Sequence, residues 1–198
     1  MINKSLQRIC TQPQSRPGEV TGLLLLESFY EETDAYMPEH LHLARVRQPD
    51  PGRLQLWLIR PFMRRMYRRM FAEWPDGIRG VLIDRHLSAE WFQVGVRERS
   101  NLPELADELH HGGDVPDVPL IALTALGTDP GMRLLMSRKA LRELTDGKRR
   151  LYAALADSVT RGEHRALEDA RHSTITIDRP HAVIQAIRDL LDWPRRDG

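Results

Sequence analysis

Cysteine is nearly absent from this sequence: Cys10 is the single one in 198 residues. That excludes an internal disulfide framework and fits a reducing compartment, the cytoplasm. Cys10 sits in no motif and reads as a plain thiol. Long apolar runs are missing too. The longest, "GLLLLES" from Gly22 to Ser28, is far short of a membrane span, so no stable membrane insertion is expected. The polar start, "MINKSLQRICTQPQSRPGE", has no apolar h-region and is not expected to act as a signal peptide. Neither sign of charge dominates, with 29 Lys and Arg against 28 Asp and Glu. No overall field draws the chain to nucleic acid. There is no phosphate loop and no G-x-G-x-x-G, so no cofactor is expected. His40 and His42 are two apart and His110 and His111 are adjacent, without Cys or suitably spaced carboxylates, so no metal site is expected either. Trp57, Trp74, Trp91 and Trp193 are too scattered for a stacking platform.

What is present is ordinary for a globular protein. Hydrophobic residues are 41% and charged residues 29% of the chain, and a chain of this length buries a core without staples. Val20 to Glu27, "VTGLLLLE", and Val118 to Leu126, "VPLIALTAL", are the continuously apolar runs of strands covered on both faces. The second ends in the turn signal "GTDPG". His164 to Glu168, "HRALE", is a third, weaker strand.

Helical patterns fill the remainder. Pro61 to Phe71 sets Phe62, Met63, Met66, Tyr67, Met70 and Phe71 on one stripe. Arg64, Arg65, Arg68 and Arg69 lie on the other, with the proline in the first turn. Those arginines read as a solvated face paired to Glu31, Glu32 and Glu73, or as a contact for anionic groups. Further helices are expected over Asp76 to Arg85, Ser88 to Arg99 and Asn101 to Leu109, with a linker from His110 to Pro119. A long helix follows over Ser137 to Ser158, broken near "TDGK". The last helix starts near Asp178, which would accept hydrogen bonds from its free N–H groups. Its buried stripe would be Ala182, Val183, Ala186, Ile187, Leu190 and Leu191. Strands alternating with helices imply a parallel α/β sheet.

In such a sheet, residues just past the carboxyl ends of neighbouring strands converge on one rim. Asp129 follows the second strand and His172 the third, with a β-like stretch after the histidine. A carboxylate there fixes the imidazole tautomer, and the imidazole can take a proton from a nucleophile. The bland alternative is an Asp-Pro turn and a structural histidine. Glu27, at the end of the first strand, is the second candidate acid. Asp169 is expected to point elsewhere.

Three stretches resemble the α/β-hydrolase family. "PGEVTGLLLLESFYEETDAYMP" resembles the strand after the nucleophile elbow and the approach to a cap. "VPLIALTALGTDPG" resembles the strand that delivers the acid, and "ARHSTITIDRPHAVIQAIRDLL" the histidine loop and closing helix. The resemblance implies a partial α/β-hydrolase fold, with few parallel strands and an inserted helical cap. Residues 1–18 would be a flexible arm, 19–38 and 116–198 the core, and 39–115 the cap. It implies hydrolysis of ester-like small substrates, with His172 and Asp129 in the last two places of the Ser, acid, His order and Glu27 as the alternative acid. The departure is the nucleophile. No G-x-S-x-G occurs in the sequence. The nearest likeness is Ser5 in "NKSLQR", which lacks the glycines a strained elbow needs. The expectation is therefore a truncated member without its nucleophile. The alternative is a non-catalytic binding or interaction protein that self-associates through an exposed sheet edge.

Overall fold

The computed structural model describes residues 19–43, 45, 53–99, 102–111 and 114–196. Ser5, Cys10 and the arm expected over 1–18 lie outside them. The chain divides into two compact units, one of Met1–Val46 with Pro103–Gly198, the other of Arg47–Leu102. The helical unit is narrower than the 39–115 insertion expected, since Pro103 onward and the short 3₁₀ turn Glu39–Leu41 belong with the sheet.

The first unit is α/β. Strand β1 is Leu23–Leu26, followed by a short helix α1, Thr33–Tyr36. Past the helical unit come β2, Leu120–Gly127, helix α6, Pro130–Leu135, and helix α7, Arg138–Asp157. Strand β3 is Gly162–Arg171. A 3₁₀ turn, His172–Thr174, a short helix α8, Ile175–Asp178, and helix α9, Pro180–Arg196, end the described chain. The sheet has order β1-β2-β3 and is parallel throughout.

The central strand explains the unit. Successive β2 side chains alternate between faces. Leu120 and Ala122 meet Leu151, Tyr152, Leu155 and Ala156 of α7. Ile121 and Leu123 meet Val183, Ala186, Leu190 and Trp193 of α9. With helices on both faces, a continuous apolar run is what burial requires. Each such leucine or isoleucine contributes roughly 1.5–3 kcal/mol through its removal from water. The α7–β3 turn is equally demanding. A Cβ on Gly162 would run into the Ala156 carbonyl, so only glycine fits there.

The helical unit comprises α2, Arg53–Met70, α3, Asp76–His86, and α4, Ala89–Arg99. Helix α5, Leu102–His111, leads back toward the sheet and takes in His110 and His111, expected in a linker. Tyr67 and Phe71 pack with Ile83 and Leu87, flanked by Met63, Met66 and Met70. His86 stacks among Tyr67, Phe71 and Trp91, with ring centroids 4.5–5.2 Å apart.

Several expectations are corrected. Pro61 lies inside α2, not in its first turn. The helix tolerates the lost N–H at an exposed position, and the Trp57 carbonyl forgoes its donor. Phe62 is 56% exposed and off the buried stripe. Helix α7 runs unbroken through "TDGK". The stretch after His172 is helical, not β-like. Ile187 and Leu191 of α9 are exposed, at 45% and 69%, because the stripe facing the sheet is Val183, Ala186 and Leu190.

Candidate functional site

Because β1, β2 and β3 are parallel, their carboxyl ends share one rim. His172 leaves β3 there. Its Nδ1–H donates to Oε2 of Glu27 at 2.9 Å, across 145 residues of sequence. The ring is exposed, with 64% of the side chain accessible, whereas the Glu27 side chain is only 5% accessible. With Nδ1 carrying the proton toward the carboxylate, Nε2 is left as the acceptor.

Glu27 reaches His172 because β1 stops early. Leu26 pairs with Leu123, while β2 continues to Gly127. Glu27 then adopts a positive φ of 49°, a left-handed conformation that costs a side-chain-bearing residue roughly 1–2 kcal/mol. The turn folds its carboxylate onto the end of β2. Three donors hold it there. The Ala125 N–H binds Oε1 at 2.5 Å. The Lys148 ammonium binds Oε2 at 2.6 Å, and His172 shares that same oxygen. Burial pushes the Glu27 carboxyl up. The bonds from His172, Lys148 and Ala125, with the Lys148 charge, outweigh it and hold the group below the usual carboxylate range. Glu27 is thus an ionised acceptor.

Asp129, the acid expected first, is on the same rim but not on the histidine. It accepts a hydrogen bond from the Ser173 hydroxyl. The reason is local. Asp129 is the N-cap position of α6, with Pro130 fixing the next residue. That turn carries the aspartate past the end of β2, while the longer glutamate reaches back beneath His172. Asp169 pairs with Arg179, away from His172, in line with the expectation.

Asp178 does not cap α9 as expected. It accepts from the Arg171 N–H at 3.1 Å, from the Arg171 guanidinium at 2.8 and 3.0 Å, and from Thr174 Oγ1 at 2.6 Å. The Arg171 bonds first of all hold its carboxyl below the ordinary value. This aspartate ties both ends of the His172 turn and so aims the imidazole.

Helix α7 supplies what the sequence reading missed. Lys148 Nζ bridges Glu27 and the Ala125 carbonyl, the latter at 2.7 Å. Tyr152 donates to the Ser28 carbonyl at 2.6 Å. Gly147 admits the segment after β1, since a Cβ there would sit 2.6 Å from Met37 Sδ and 2.8 Å from the Tyr36 carbonyl. One signal was legible. Lys148 stands one turn before Leu151 and Tyr152 and two before Leu155, on the stripe that faces β2, and a cation on an apolar stripe needs a buried partner.

No family model matches the chain, and no curated protein or solved structure is similar to it at a significant level.

In the helical unit, α2 and α3 enclose a hollow of about 350 Å³ lined by Arg64, Arg68, Asp76, Arg79, Gly80, Ile83 and Asp84. Arg64 pairs with Asp84, and Arg79 with Asp76. The partner of Arg64 is therefore Asp84, not the Glu31, Glu32 or Glu73 of the sequence reading. Among the described residues no group of His, Cys, Asp or Glu could hold a metal ion. No helix of the described residues is long and apolar enough to cross a membrane.

Proposed function

We propose that this chain holds the histidine and the acid of an α/β-hydrolase-type proton relay for ester-like small substrates, with Glu27 rather than Asp129 in the acid role. His172 would take a proton at Nε2 from an attacking hydroxyl and return it to the leaving group. Glu27 would fix the Nδ1–H tautomer and stabilise the imidazolium as it forms. The helical unit would be the cap. No G-x-S-x-G presents a nucleophile, so the chain by itself has no serine hydrolase turnover on this reading.

The observation that carries it is the Nδ1 to Oε2 bond between an exposed imidazole and a buried, ionised carboxylate at the carboxyl ends of parallel strands. Long-range ¹H–¹⁵N correlation of labelled histidines tests it. The Nδ1–H tautomer should dominate for His172 and weaken in Glu27→Gln. An Nε2–H tautomer indifferent to that substitution would sink the reading. Treatment with a serine-reactive fluorophosphonate should leave the chain unlabelled; labelling lost in Ser5→Ala would assign the nucleophile to Ser5 after all.

A second reading, an interaction protein, is favoured by the position of β1. It is an outer strand of the sheet and, among the described residues, pairs with β2 alone. Such an edge offers N–H and C=O groups to another chain. Sedimentation that depends on concentration would support it.

A further inference from the structure

Lys148 is the charged group at this rim that a histidine–acid pair does not require. It projects from α7 with 19% of its side chain accessible. Its Nζ lies 2.6 Å from Glu27 Oε2, the same oxygen that receives His172 Nδ1–H. Its second bond, 2.7 Å to the Ala125 carbonyl, holds it in register with the N–H of the residue that binds Oε1. One helical turn on, Tyr152 fixes Ser28. The lysine is therefore built into the support of the carboxylate.

Its charge has a consequence for the imidazole. A lone carboxylate beside a histidine favours the imidazolium, and a cation on that same carboxylate opposes it. The other charges near this rim are engaged elsewhere: Asp129 with Ser173, Arg171 with Asp178, Arg179 with Asp169, and Arg149 with Glu168. Among the described residues, Glu27 bonds the ring directly and Lys148 bonds the same Glu27 oxygen.

We propose that Lys148 is a positioning residue of the relay: it holds Glu27 in place and offsets its field, so that His172 rests as a neutral, tautomer-fixed base instead of a standing ion pair. This rests on the Glu27–His172 reading above. It adds that the relay is a chain of Lys148, Glu27 and His172, tuned for proton acceptance. The carboxylate still stabilises the imidazolium when a proton arrives, but less strongly than an unpartnered glutamate would.

The experiment follows the His172 ring nitrogens by ¹⁵N NMR through a pH titration. Lys148→Met should raise the midpoint by about one pH unit, a tenfold change in the protonation equilibrium. Lys148→Arg, which keeps the charge, should restore it to within a few tenths. A midpoint unmoved in a folded Lys148→Met, with Glu27→Gln still shifting it downward, would overturn the role of Lys148 alone. A midpoint unmoved in Glu27→Gln would overturn the relay, and this proposal with it. Should Lys148→Met fail to fold because Glu27 is stranded, the comparison passes to Glu27→Gln against Glu27→Gln/Lys148→Met. The double variant must then titrate higher than the single, and equal midpoints would overturn the proposal.

Discussion

Tyr152 donates its hydroxyl hydrogen to the carbonyl of Ser28 at 2.6 Å, bridging α7 to the residue after Glu27. The ring is 4% exposed. Burial first, and then the charge of Glu27, push the phenol up, so it stays protonated and donating. Tyr152→Phe leaves the Ser28 carbonyl without its donor, which costs about 1–3 kcal/mol. Urea unfolding measures it. A loss under about 0.5 kcal/mol would mean the turn holding Glu27 does not depend on the Tyr152 hydroxyl.

Acid should destabilise the fold through the same rim. Glu27 and Asp178 are both held below their ordinary values of 4.5 and 3.8. The folded protein then binds fewer protons than the unfolded chain in the window beneath those values. Their stabilisation is complete above them and drains away as the pH falls through the folded values. Asp178→Asn should lower Tm at neutral pH and flatten the acid limb of Tm against pH. An acid limb as steep as that of the unsubstituted protein would remove Asp178 from this account.

The two glycines of α7 and its following turn should differ in cost. A Cβ at Gly147 meets Met37 Sδ and the Tyr36 carbonyl, and the methionine can move aside. At Gly162 it meets the backbone of Ala156 alone, which cannot. Gly147→Ala should cost about 1–3 kcal/mol, by the usual scale of overpacking. Gly162→Ala should cost more, judged by thermal unfolding. The reverse order would contradict the placement of the α7–β3 turn.

The fold was legible where burial dictates sequence. Strand β2 is buried along nearly its whole length and is apolar there except at Thr124, so "LIALTAL" could be read as a covered strand. Its neighbours were harder. Strand β3 extends to Gly162 and Arg171 through charged residues that an outer strand tolerates, and only its middle stood out. The stretch "STITI" has the β-branched content of a strand, yet it turns helical. Buried Ile175 and the bonds from Arg171 and Thr174 to Asp178 set its course, an instance of tertiary context overriding propensity. At the site, topology put Asp129, His172 and Glu27 on one rim, which sequence order could foresee. Which acid meets the imidazole turns on β1 ending four residues' pairing short of β2's last and on the left-handed turn at Glu27. Neither is written in residue types.

That choice between acids is open to direct measurement. Glu27 has a buried carboxylate on His172, while Asp129 meets Ser173 at an exposed position. Glu27→Gln removes the charge on the imidazole and should lower its titration midpoint by about one unit or more, since an opposite charge in contact favours the charged ring. Asp129→Asn removes a charge that faces the Ser173 hydroxyl and Arg171, and it should move His172 by a few tenths at most, as solvent screens exposed charges. The same pair of variants separates function from stability. Glu27→Gln strands Lys148 against an amide and should lower Tm, whereas Asp129→Asn should leave it within the range of an ordinary surface change, about 0.5 kcal/mol. If Asp129→Asn instead shifted the imidazole and Glu27→Gln did not, the aspartate would be the working acid and the left-handed turn at Glu27 would have no part in the relay.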